Sequence, residues 1–232
     1  MNAQKLAFVV HIGDITSGRG PCTDEWLEAR KTQFSRLRHP FVLLPGDNDW
    51  TDCHRTGFDP LERLEKWRSL FCYGETIFRL ERQQNEYCEH VRWIAGGMLF
   101  VALNVPGSNN NLGRTKEMDA EHARRMAAVF EWLDSSAALA RERRLDGLVV
   151  LMQANIFERR RGPDGFARVR ERLAALAREF AGRVVLVHGD EHTFRDDEPL
   201  PGLRRIEVYG SPFVRWLRAI ILPGGMLIEP SN

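Results

Sequence analysis

Four short apolar runs in this chain each stop in a cluster of polar residues able to bind a cation, and no other feature limits the fold as much. Leu6 to Ile12 runs into Gly13-Asp14, and Phe41 to Leu44 into Pro45-Gly46-Asp47-Asn48-Asp49. Leu148 to Met152 runs into Gln153-Ala154-Asn155, and Val184 to Val187 into His188-Gly189-Asp190-Glu191-His192. Nearly continuous apolar runs of this length are the pattern of buried strands. Helical patterns separate them. Asp24 to Leu37 places Trp26, Leu27, Arg30, Phe34 and Leu37 near one face. Asp59-Pro60-Leu61-Glu62 is a helix start, with Asp as cap, and Leu61, Leu64, Trp67 and Leu70 form its stripe. Residues 115 to 145 read as helix with a break near Asp134-Ser135. Phe166, Val169, Leu173, Leu176 and Phe180 space another helix, closed by Gly182. Residues 75 to 103 read as successive strands, and the tail from Leu203 to Glu229 as strands joined at Gly210-Ser211-Pro212 and Pro223-Gly224-Gly225. The expectation is one layered α/β domain over residues 1–232, with a mixed sheet and a β-rich end.

In open α/β sheets the ligand site lies beyond the carboxyl ends of the strands. If the four strands run parallel, their polar tips converge, and the glycines let the backbone turn sharply at the rim. Carboxylates brought together this way repel: two unit charges about 4 Å apart interact by roughly 4 kcal/mol at an effective dielectric of 20. Shifted pKa values, arginines or cations must offset that. A set of Asp oxygens, amide oxygens and imidazole suits a hard or borderline divalent ion. Taken singly, Asp14 is a loop cap, Asp47 and Asp49 an Asx-turn pair, and His192 a surface histidine. Their joint occurrence at strand ends favours a metal site.

Composition excludes other classes. With 43% apolar residues the chain is not disordered, and no run approaches the roughly 20 apolar residues of a membrane helix. Lys and Arg number 33 against 32 Asp and Glu, which gives no electrostatic footprint for nucleic acid. Arg141, Arg143, Arg144 and Arg159 to Arg161 are the basic clusters that keep a nuclease reading open. Cys22, Cys53, Cys72 and Cys88 match no zinc pattern. They permit up to two disulfides in three pairings, or four free thiols in a reduced compartment. The N-terminus does not read as a signal peptide, so the chain as given reads as cytoplasmic, and as periplasmic or secreted if a segment precedes Met1.

The order Gly13-Asp14, Gly46-Asp47-Asn48-Asp49, Gln153 and Gly189-Asp190-Glu191-His192 resembles the ligand series of the calcineurin-like metallophosphoesterases: Gly-Asp, Gly-Asn-His-Asp, a strand ending in His, then Gly-His-x-His. PGDNDWTDCHR near residue 45, GSNNN near 107, LMQANIF near 151 and HGDEHTFRDDEPL near 188 look like one bacterial branch of that superfamily. The resemblance implies a four-layer α/β/β/α sandwich with a two-metal site at the sheet ends. It makes Asp14 the bridging ligand and Asp47, Gln153, Asp190 and His192 the other ligands. Asn48 stands where the family usually has the His that protonates the leaving group or steadies the phosphate. The family's opening Asp-x-His or Asp-x-Gln strand and its helix have no counterpart. Oxygen ligands in place of imidazoles shift the expected ions towards manganese or magnesium, with iron or zinc as alternatives.

The resemblance implies hydrolysis of a phosphate mono- or diester by a hydroxide held on metal, with a small phosphate ester as substrate. Catalytic roles fall to Asn48, to His54 as first choice of general acid ahead of His11 and His188, and to Arg55 for the phosphoryl oxygens. Asn109 and Asn110 are the substrate-lining candidates. The competing reading is a catalytically degenerate binding protein on the same scaffold, with a weak or absent metal site. Oligomeric state is not legible.

Overall fold

The computed structural model describes residues 1–72, 79–83, 86–158 and 162–231. The main sheet has seven strands: β3 (Glu81–Arg82), β4 (Val91–Ala95), β5 (Met98–Ala102), β6 (Gly147–Leu151), β7 (Val184–His188), β8 (Arg195–Leu200) and β9 (Leu203–Glu207). Their order is β3-β4-β5-β6-β7-β9-β8. β5, β6, β7 and β9 run parallel, and β3, β4 and β8 are antiparallel to their neighbours. A separate parallel pair joins β1 (Val9–His11) to β2 (Phe41–Leu43), and β10 (Leu217–Leu222) forms a hairpin with β11 (Gly225–Pro230). The helices are α1 (Asp24–Phe34), α2 (Pro60–Phe71), α3 (Lys116–Glu142) and α4 (Ala167–Glu179). This is the expected α/β class with a mixed sheet.

The period of two along each central strand divides the core. Leu99, Val101, Leu148, Val150, Val184 and Leu186 meet α3 and α4 through Val129, Leu133, Leu173 and Leu176. The alternate residues Phe100, Ala102, Val149, Leu151 and Val185 face the other way, onto Ile12, Val42 and Leu44 and the hairpin residue Met226. Because both faces are covered, these strands carry no polar side chains until their ends. A third cluster holds Leu27 and Trp67 of α1 and α2 with Ile15, Cys72 and Cys88.

Several boundaries differ from the sequence reading. β1 shortens to Val9–His11, and α1 stops at Phe34 rather than Leu37. α3 is unbroken at Asp134-Ser135: Ser135 satisfies its hydroxyl on the Trp132 carbonyl one turn back, and the helix continues. β8 went unrecognised because it is a charged edge strand with Pro199 beside its register shift, a composition that protects edges but hides strands. Of the strands expected over 75 to 103, residues 75–78 and 84–85 lie outside those described, as do Arg159 to Arg161. Asp59 caps α2 as expected, accepting from Leu61 N at 2.7 Å and Glu62 N at 3.1 Å. All four cysteines are paired, Cys22 with Cys53 and Cys72 with Cys88.

Candidate functional site

β1, β2, β6 and β7 deliver their polar tips to one place. Gln153, just past β6, is fully buried, and its Nε2 lies 3.1 Å from Asp14 Oδ2, 3.1 Å from Asp47 Oδ1 and 3.2 Å from Asp190 Oδ1. Its Oε1 accepts from Gly107 N at 2.5 Å and Asp47 N at 3.3 Å, which fixes the orientation of the amide. An amide nitrogen has two protons for these three carboxylates. Held this way, Gln153 presents donors to the acids; it could offer Oε1 to a metal only by releasing the two backbone N–H groups.

Asp49 builds the platform. Its Oδ1 accepts from Ile15 N at 2.8 Å and Thr16 N at 3.3 Å, and its Oδ2 from Asp14 N at 3.0 Å and Gly46 N at 2.8 Å. One carboxylate therefore clips the loop after β1 to the loop after β2. Gly46 and Gly107 are required for close approach rather than for rotation. A Cβ on Gly46 would stand 2.1 Å from Asp14 Oδ1, and one on Gly107 would stand 2.7 Å from Asp47 Oδ2 and 2.8 Å from Asp190 Oδ1. Asp14 (φ 60°), Asp190 (φ 83°) and His192 (φ 64°) all occupy the left-handed region, the kind of backbone strain that collects at functional sites.

The electrostatics match the crowding. Burial, then repulsion from Asp47, Asp49 and Asp190, holds the Asp14 carboxyl well above the usual range. Burial, then Asp52, raises Asp47. Burial, then Asp47, pushes Asp190 up to about 7, against the Asn155 N–H that pulls it down. Burial raises Asp49 to about 7 despite its four N–H donors. Among the described residues no Lys, Arg or His side chain bonds Asp14, Asp47 or Asp190; their donors are the Gln153 amide, the Ser108 hydroxyl and backbone N–H groups. His192 donates Nδ1–H to Ser211 O at 2.7 Å, and its Nε2 lone pair has no partner among the described residues.

Asp14, Asn48, Asp190 and His192 stand on the wall of one cavity of about 1350 Å³. The cavity lies between β1, the β10–β11 hairpin and the Phe100–Val149–Leu151 face of the main sheet. Among the described strands β1 has β2 on one edge and none on the other. Asn48 N–H is shared by Asp14 Oδ1 at 3.2 Å and Asp47 Oδ1 at 3.0 Å. His54 and Arg55 lie at the surface on a 3-10 turn, Thr51–Thr56, that follows directly. His54 Nδ1 meets Thr51 O at 2.9 Å, so its Nε2 points elsewhere. His188 is fully buried, bonded to Gly189 O at 2.7 Å, and burial lowers it to about 4. His11 is likewise lowered to about 4 by burial.

The structure does not bring Asn109 and Asn110 to the acid cluster. Asn109 donates to Leu112 O and Pro163 O and accepts from Gly165 N. Asn110 is fully buried, accepting from Arg125 Nη1 at 2.6 Å and donating to Gly165 O at 3.0 Å. Both sit in a run of four left-handed residues, Ser108 to Asn111, a conformation Asn tolerates better than most residues. That run delivers a residue the sequence reading missed. Ser108 Oγ lies 3.0 Å from Asp47 Oδ2 and 2.7 Å from Asp52 Oδ1. The repeated Asn after Gly107 was the available signal.

Among the described residues, the group of His, Cys, Asp and Glu whose ligand atoms lie mutually within 4.8 Å is Cys72, Cys88 and Glu89, and there both sulfurs are tied in a disulfide. The Asp14, Asp47 and Asp190 oxygens spread more widely, around the amide. Their chemistry nonetheless fits a hard divalent ion: crowded carboxyl oxygens that a cation would hold ionised, and one imidazole whose Nε2 has no partner among the described residues. No protein-family model matches the chain, and no curated protein matches it.

Proposed function

We propose that the protein is a metal-dependent phosphoesterase, hydrolysing a small phosphate mono- or diester at the rim where Asp14, Asp47 and Asp190 meet. One observation carries this reading: acids from three strand ends converge on the Gln153 amide, with carboxyl pKa values raised and, among the described residues, no cationic side chain bonded to them. Asp14, Asp47, Asp190 and His192 would hold the ions, manganese or magnesium before iron or zinc, with two sites as the resemblance implies. A bound ion supplies a water acidified towards pKa 7 and a Lewis acid for the phosphoryl oxygens.

This chain's residues supply the rest. Asp49 fixes the distance between the two acid-bearing loops. Asn48 lies on the cavity wall where its amide can donate to a phosphoryl oxygen. His54 has Nδ1 turned to the Thr51 carbonyl, and its Nε2 would be the atom that passes a proton to the leaving group. Arg55 adds positive charge beside the same loop. The two-sided core, with helices on one face of the main sheet and the small sheets and α1–α2 on the other, supports the four-layer sandwich. The two disulfides favour an oxidising compartment over the cytoplasm. No helix among the described residues is long and apolar enough to cross a membrane.

The test is metal content together with hydrolysis of p-nitrophenyl phosphate and its bis-ester in manganese. Turnover that disappears in Asp14→Ala and Asp190→Ala supports the enzyme. The Gln153 amide, which faces the acids with donors, favours a second reading, a degenerate binding protein. Folded protein that retains no metal and turns over neither ester selects it.

A further inference from the structure

Two arginines share one buried carboxylate beside the acid cluster. Asp52 is 2% exposed at its side chain, and its Oδ2 pairs with Arg55 Nη1 at 2.8 Å while its Oδ1 faces Arg114 Nη2 at 3.5 Å. Arg55 also donates to Gly18 O at 3.2 Å, and Arg114 to Thr51 O at 2.6 Å. The Nε and Nη2 of Arg55 and the Nε of Arg114 have no partner among the described residues. Two guanidiniums thus converge on one buried carboxylate with N–H groups to spare. Burial lowers the Arg114 guanidinium from its ordinary range and Arg55 adds to that, while Asp52 and, more weakly, Asp47 oppose it.

The pair is set to one side of the acids. Asp47 turns Oδ1 to Gln153 and Oδ2 to Ser108, and Ser108 in turn reaches Asp52. The arginines therefore lie across Asp47 from the Gln153 amide, with the Ser108 hydroxyl between. A phosphoryl group held among Asp14, Asp47 and Asp190 does not occupy that position, so a ligand that uses both needs two anionic groups. The guanidinium fork matches phosphoryl oxygens in geometry as well as charge.

We propose that Arg55 and Arg114 form an anion subsite for a second phosphoryl group, so that the substrate class is a bisphosphate. This rests on the phosphoesterase reading of the acid cluster. Arg114 is a specificity residue that sequence reading did not single out.

The experiment separates the two ideas. Titration calorimetry on manganese-loaded protein compares butane-1,4-bisphosphonate with butylphosphonate, neither of which can be hydrolysed. Wild type is expected to bind the bisphosphonate about tenfold or more tightly, the scale of a charge-assisted contact. Arg114→Gln and the more exposed Arg55→Gln are each expected to remove most of that margin, and Arg141→Gln, from the surface pair with Glu179, to keep it. Equal affinity for the two ligands, no binding of either, or a margin that survives both substitutions overturns the subsite. Phosphate release from butane-1,4-diyl bisphosphate is read separately. An arginine-dependent margin without turnover of any ester leaves the subsite standing and removes the hydrolase.

Discussion

Asp49→Asn changes one atom and is expected to unfold much of the platform. The carboxylate accepts four backbone N–H groups, two on each oxygen. Asparagine keeps Oδ1 for Ile15 and Thr16 but turns an NH₂ towards the N–H groups of Asp14 and Gly46. Asp49 is 1% exposed, so water does not replace the lost acceptor. Each buried donor left unpaired costs about 1–3 kcal/mol, and the two surviving bonds lose their charge assistance. The total is about 3–6 kcal/mol, a large share of the 5–15 kcal/mol typical of a folded protein. In a chain of this size about 1 kcal/mol corresponds to roughly 2–4 °C, so Tm is expected to fall by about 6–24 °C. Thermal unfolding at pH 8, above the value of about 7 to which burial raises Asp49, is the assay. A fall of less than about 2 °C would refute the assignment of Asp49 as the clip between the two loops.

Three further outcomes are expected. Gly107→Ala places a Cβ 2.7 Å from Asp47 Oδ2 and 2.8 Å from Asp190 Oδ1, so manganese affinity and esterase turnover should fall about tenfold or more while the fold persists; unchanged metal affinity by calorimetry contradicts this. Asp190 titrates near 7 when folded against 3.8 ordinarily, so the folded state keeps a proton that the unfolded chain gives up first, and its stabilisation is present below about pH 4 and lost as pH rises to about 7. Buried His11, His90 and His188, lowered to about 4, push stability the opposite way as pH rises, so the readout is the difference between wild type and Asp190→Asn without metal. That difference should move against wild type by on the order of a few kcal/mol between pH 4 and 7.5, and a constant difference counts against the raised carboxyl. Replacing Cys22 and Cys53 by Ser removes a crosslink spanning 31 residues and should lower stability by about 3–4 kcal/mol in chemical denaturation; no change would show that the loops do not depend on it.

The strand ends were legible because burial on both faces forces apolar runs, and each run announces its end when polarity begins. Asp14, Asp47, Gln153 and Asp190 come together for that reason. The role of Asp49 was not legible, since an acceptor of backbone N–H groups looks the same in sequence as a turn residue or a ligand. Asn109 and Asn110 read as pocket residues because loop composition is polar, yet their amides are used to hold a left-handed run in place. Ser108 and Arg114 escaped because their partners are more than 50 residues away, at Asp47, Thr51 and Asp52. The cysteine pairing needed coordinates, as three pairings satisfy the sequence equally.

Anomalous diffraction at the manganese edge from crystals soaked in Mn²⁺ addresses the convergence of the acids most directly. Manganese bound among the carboxylates of Asp14, Asp47 and Asp190, with His192 Nε2 turned to it, is the expected result. A map with no manganese there, the Gln153 amide still bonded to all three acids, would contradict the metal-dependent chemistry at its root.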